Sequence, residues 1–97
     1  MNIQQAFDDA CINGDIKCAK EIYEKFGDKI DIYHNDEYVF QICCLNDYMK
    51  IAKWLYLLGE KNGRMFNIQE MLNVFNNNCY QYFSKLSTPT EKKNGTK

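Results

Sequence analysis

Apolar residues fall at helical spacing from the start of the chain. Ile3, Ala6, Phe7 and Ala10 stand at i, i+3, i+4 and i+7, the stripe of a helix that buries one side. Asn2 precedes the stripe as an N-cap, with Gln5 three residues on. Asn13-Gly14-Asp15 interrupts it, because glycine accepts positive φ and Asp15 can cap whatever follows. The second predicted helix runs from about Ile16 to Phe26, with Ile16, Ala19, Ile22, Tyr23 and Phe26 on its apolar side. Gly27 ends it, and Gly27 to Asp36 reads as a turn with a brief extended segment. A third helix, capped by Asn35 or Asp36, is predicted from about Glu37 to Leu45. Asn46-Asp47 is a tight turn, and the fourth helix runs to about Leu58 with Gly59 as its C′ residue. Asn67-Ile68-Gln69-Glu70 forms a capping box ahead of Met71, Leu72 and Phe75 at helical spacing. Asn76-Asn77-Asn78 breaks the pattern again, and a short last helix holds Tyr80, Phe83 and Leu86. The elements predict an all-α fold.

The pattern repeats. Shifting the chain by 33 residues pairs Phe7 with Phe40, Cys11 with Cys44, Asn13 with Asn46 and Lys17 with Lys50. The same shift pairs Ala19 with Ala52, Lys20 with Lys53 and Tyr23 with Tyr56. A period of this length marks stacked helical hairpins. Between the copies, Glu21 gives way to Trp54, Glu24 to Leu57, Lys25 to Leu58 and Asp9 to Ile42. An end unit needs one polar outer face and a middle unit does not. The first copy is therefore expected to be a cap, and the second an interior unit that buries Trp54, Leu57 and Leu58. The units span about 2–34, 35–66 and 67–86, the third degenerate. A shift of 32 is preferred there, because it sets Asn67-Ile68-Gln69 against Asn2-Ile3-Gln4. Residues 87–97 are polar and expected to be a disordered tail.

Charge and chemistry narrow the picture further. Twelve basic and 13 acidic residues leave a formal charge of −1, so no strongly signed field draws in nucleic acid or an anionic membrane. The five cysteines are odd in number and lack CxxC spacing, which fits a reduced intracellular compartment. The amino terminus has neither a basic start nor an apolar stretch, so no signal peptide is expected. The longest apolar run, Trp54 to Leu58, is far too short to span a bilayer. Cys43-Cys44 suit close helix packing better than metal or redox chemistry, since free cysteine behaves as a small buried hydrophobe. His34 has no orienting partner or nucleophile turn in the sequence, so no catalytic residue, metal or cofactor is expected. Lys17, Lys20, Lys50 and Lys53 recur at the repeat period, but Glu21, Glu24 and Glu60 interleave, as on a solvated outer face. Most of Tyr33, Tyr38, Tyr48, Tyr80, Tyr82 and Phe66 are expected to pack repeats and fingers, with Tyr33 and Phe66 near finger tips.

The helix, tight turn, helix and finger of 33 residues resemble the ankyrin repeat. Ala10-Cys11 and Cys43-Cys44 stand where that family has its paired small residues. Gly14 matches its turn glycine, Ile22-Tyr23 and Leu55-Tyr56 its Leu-Leu pair, and Gly59 the glycine closing its second helix. The family's TPLH tetrapeptide is replaced by Gln5-Ala6-Phe7-Asp8 and Tyr38-Val39-Phe40-Gln41, and the second turn glycine by Asp47. KIAKWLYLLG, at 50–59, with the bias to Asn, Ile, Lys and Tyr, is similar to ankyrin proteins of giant DNA viruses, which implies a host cytoplasm. The resemblance implies a short α-solenoid of about two and a half hairpins that binds another protein without catalysis. It places partner contacts at His34, Asn35 and Glu37, at Leu45 and Asn46, and at Phe66, Gln69, Asn77 and Asn78. Leu45 stands out, since an exposed aliphatic at a turn has little structural use. A stack this short is expected to be marginally stable. The alternative is therefore self-association through Met65, Phe66, Met71 and Tyr82, with a helical nucleic-acid binder as a further one.

Overall fold

The computed structural model describes residues 2–87. Within them every regular element is helical, and the tail expected at 87–97 lies, apart from Ser87, outside the described residues. Helix α1 spans Ile3–Ile12, α2 Ile16–Phe26, α3 His34–Leu45, α4 Met49–Lys61, α5 Ile68–Met71 and α6 Asn77–Ser87. Short 3-10 turns follow α2 at Gly27–Lys29 and α5 at Leu72–Val74.

Local chemistry fixes the first hairpin. The Gln5 N–H donates to Asn2 Oδ1 (3.0 Å), and the Cys18 N–H donates to Asp15 Oδ1 (3.1 Å), so both predicted caps form. Between them the Asp15 N–H reaches the Ala10 carbonyl and the Gly14 N–H that of Cys11. This paired closure puts Gly14 at φ 77°. One repeat later the Tyr48 and Asp47 N–H groups bond the Cys43 and Cys44 carbonyls in the same way. Asp47 holds the left-handed position, φ 61°, without being glycine. Asp tolerates that region better than most residues, so the turn survives the substitution at some strain.

Four expectations change. Neither Asn35 nor Asp36 caps α3. Asn35, Asp36 and Glu37 instead form a left-handed turn (φ 56°, 57° and 66°), and the right-handed helix begins at Tyr38. The segment before it keeps the expected turn, a 3-10 turn at Gly27–Lys29, followed by extended backbone at Ile30 (φ −102°, ψ 127°). Gly59 does not end α4, which continues to Lys61, with the left-handed Gly63 closing it. A Cβ at Gly59 would lie 3.0 Å from the Arg64 carbonyl oxygen and 3.2 Å from the Phe66 ring, so close approach explains this glycine. Asn67 makes no side-chain cap, and its helix is one short turn before the 3-10 segment. As a result α6 starts 28 residues after α4 (Asn77 against Met49), where α4 follows α2 by 33 (Met49 against Ile16). The shift of 32 does not describe the second helix of the third unit.

Packing follows the repeat. Helix α1 packs on α2 and α3, α3 on α4 and α6, and α5 on α6. Phe7 and Phe40, one period apart, are both fully buried. Phe7 meets Tyr23 of its own hairpin (6.1 Å between ring centroids) and Trp54 of the next (6.0 Å). Phe40 stacks on Phe66 (4.3 Å, 9° between planes) and meets Phe83 edge-on at 5.3 Å. Each such ring contributes about 1.5–3 kcal/mol on leaving water. Trp54 and Leu58 are half-buried against this core. Leu57 is 59% exposed, against expectation. It stands two residues beyond Leu55, about 200° round the helix from that buried side chain.

Candidate functional site

Large apolar groups are exposed on α3 at Tyr38 and Leu45, as they are elsewhere at Phe26, Leu57, Met65 and Tyr80. Facing residues follow from the helical period and the 33-residue register. Asn2, Gln5 and Asp9 are exposed on α1 or at its start, and Tyr38 and Leu45 on α3 at one repeat from Gln5 and Ile12. Tyr38 is 45% and Leu45 49% exposed. Seven residues apart, they share a face two turns, or about 10 Å, along the axis. Gln41 and Ile42, between them along α3, and Ile12 on α1 are half-buried.

The residues singled out by sequence divide between the two ends of α3. At its start, His34 Nδ1 lies 3.0 Å from Asp8 Oδ2, and Asp8 is buried. Gln4 Nε2 donates to Asp8 Oδ1 (2.9 Å) and to the Asp31 carbonyl (3.0 Å), while Gln4 Oε1 accepts from the Asp31 N–H (2.8 Å). This lattice pins the first finger to α1, so His34 has a structural partner that sequence alone did not reveal. Asn35 is exposed at the left-handed turn. Glu37 is 9% exposed, and its Oε1 accepts from the Asn67 N–H at 2.9 Å, which joins the two fingers and withdraws it from the contact surface. Phe66 is likewise interior, 4% exposed beneath Tyr33 and against Phe40. Tyr33, itself half-buried, donates its hydroxyl to the Arg64 carbonyl and carries the Arg64 guanidinium 4.1 Å above its ring. Gln69 is exposed beside these fingers in sequence.

At the other end, Leu45 and Asn46 are exposed. Asn78 Nδ2 donates to Asp47 Oδ2 (2.9 Å), and the Asn76 N–H donates to the Cys44 carbonyl (3.0 Å), so the last two hairpins meet at their turns. Asn77 opens α6. An open cleft of about 580 Å³ lies at the starts of α2, α4 and α6, lined by Ile16, Tyr48, Met49, Ile51, Asp47 and Asn78 among others. Tyr38, placed among the packing aromatics by sequence, belongs to the exposed face. Its apolar neighbour Leu45 on an i, i+7 spacing was the signal for it.

The cysteines are interior. Cys11, Cys43, Cys44 and Cys79 are buried, and burial in apolar surroundings pushes each thiol above its ordinary range, Cys43 to about 12. Cys43 Sγ donates to the Cys11 carbonyl at 3.4 Å. Thiolate, the nucleophilic and metal-binding form, is disfavoured at all four. Among the described residues no three His, Cys, Asp or Glu side chains come together to hold a metal ion. No helix among them is long and apolar enough to cross a membrane. The chain matches no family model, no curated protein and no solved structure.

Proposed function

We propose that this chain is a non-catalytic protein-binding module, a short ankyrin-like stack of about two and a half hairpins. Its contact surface is the outward side of α1 and α3 with the adjoining turns. The observation that carries the reading is the exposed pair Tyr38 and Leu45 on one face of α3. Half of each side chain is in water on the helix that is otherwise the most enclosed, with Val39, Phe40, Cys43 and Cys44 all buried behind it. Apolar side chains held in the open on a rigid element favour contact with another molecule. Asn35, Asn46 and Gln69 add hydrogen-bonding groups around it, while Glu37 and Phe66 serve as its support from within. Capture from a cell extract tests this with wild type, Leu45→Arg and Leu57→Arg side by side. A protein retained by wild type and by Leu57→Arg, but lost with Leu45→Arg of unchanged helicity, supports the face. Equal retention by all three removes it.

Self-association is the second reading, favoured by Leu57, exposed on the opposite side, and by Met65 at 43%. Phe66 and Tyr82 are taken out of the surface first assigned to it, the former buried and the latter half-covered, with the Lys53 ammonium 4.5 Å above its ring. Sedimentation and melts at several concentrations decide: a monomer with a concentration-independent melt ends this reading.

A further inference from the structure

Within the helices, lysine is confined to one set, where Glu21, Glu24 and Glu60 interleave with it. Helices α1, α3 and α5 carry no lysine or arginine, whereas α2, α4 and α6 carry Lys17, Lys20, Lys25, Lys50, Lys53, Lys61 and Lys85, all exposed. Among the described residues no lysine or arginine reaches a carboxylate within ion-pair distance. On the outward face Asp9 is exposed, holding the Gln5 amide (2.8 Å). Asp36 is exposed at the left-handed turn two residues before Tyr38, and Asp47 two residues after Leu45. Asp47 is held by the Asn78 amide (2.9 Å). The exposed carboxylates left near the apolar pair are therefore Asp36, at the start of α3, and Asp9 on α1, and these two helices carry no lysine or arginine.

We infer that this face takes a basic peptide segment, an apolar side chain lying between Tyr38 and Leu45 and lysine or arginine groups reaching Asp36 and Asp9. The inference rests on the reading of that face as the contact surface and adds the chemistry of the partner. Opposite charge across an interface speeds encounter and excludes like-charged competitors more than it deepens affinity. An acidic partner meets carboxylates here with no cation to neutralise them, and nucleic acid is disfavoured for the same reason.

The test uses the full chain, ¹⁵N-labelled, with three short amidated glycine-spaced peptides. One carries lysine and leucine, one glutamate in place of lysine, and one serine in place of leucine. The lysine–leucine peptide is expected to move the amides of Asp9, Tyr38 and Leu45. Its affinity should fall at least about fivefold between roughly 50 and 500 mM salt. The combined Asp9→Asn and Asp36→Asn variant, which keeps the side-chain shapes, should weaken it about threefold to tenfold. The glutamate and serine peptides should leave those amides still. If the glutamate peptide moves the same amides equally, the charge assignment falls while the face remains a binding surface. If no peptide moves them the assignment also falls, and the capture experiment alone then decides the binding reading. Amides on this face that shift on dilution of the free chain would place a second copy there and overturn the inference as well.

Discussion

Cys43 shows how a single residue reports on the fold. Its sulfur sits between two hairpins, without solvent contact, donating to the Cys11 carbonyl. Cys18, half-buried on α2, is the most accessible of the five thiols. A thiol-specific reagent at pH 8 should therefore modify one group quickly and four on the timescale of unfolding, read as adducts by mass spectrometry. Fast labelling of Cys43 or Cys44 would mean the hairpin interface opens. The same burial sets a pH dependence. Below about pH 9, the ordinary thiol value, Cys43 is protonated folded and unfolded, and its contribution is fully present. Above it the unfolded thiol ionises and the folded one does not, so stability falls until about pH 12. The slope is about 1.4 kcal/mol per pH unit for each such thiol. Urea midpoints between pH 9 and 10 should drop less steeply for Cys43→Ala than for wild type. Equal slopes would refute the assignment.

The elements divide by whether local or distant contacts shaped them. Helices α1 and α2 were legible to the residue, since Asn2, Asp15 and the apolar stripe act within a turn or two of themselves. The start of α3 was not, because Glu37 is drawn inward by the Asn67 N–H, 30 residues away. Gly59 was misread for the same kind of reason: it makes room for Phe66, which belongs to the following finger. The exposed Leu45 was legible from its place at a turn and Tyr38 carried a signal in its i, i+7 spacing to Leu45, while the Asp8–His34 contact needed the helices to be set side by side. The left-handed turn costs about 1 kcal/mol or more per residue and persists through what Glu37 binds. Glu37→Ala removes the acceptor of the Asn67 N–H, a residue exposed enough for water to take its place, and should lose about 0.5–1.5 kcal/mol. Glu37→Gln keeps an acceptor and should lose less than half as much, by urea denaturation. Equal losses would show that charge, not the acceptor, matters.

Across the whole molecule, stability is unevenly shared. The second hairpin is covered on both sides by α1 and α6, whereas the third unit has a first helix of one turn. If the proposed stack holds, its ends loosen first. Amide exchange should be slowest for Phe40 to Cys44 and Ile51 to Leu55, and fastest near Ile68. Uniform protection would indicate one cooperative block. The confinement of helical lysine to α2, α4 and α6 operates at this scale too, and no single helix reveals it. Handedness gives a last consequence. Three successive residues, Asn35 to Glu37, coil in the sense natural to D-amino acids. In a chemically assembled chain, the mirror-image enantiomer of asparagine at position 35 should raise the melting temperature. The same replacement at position 13, where φ is −88°, should lower it.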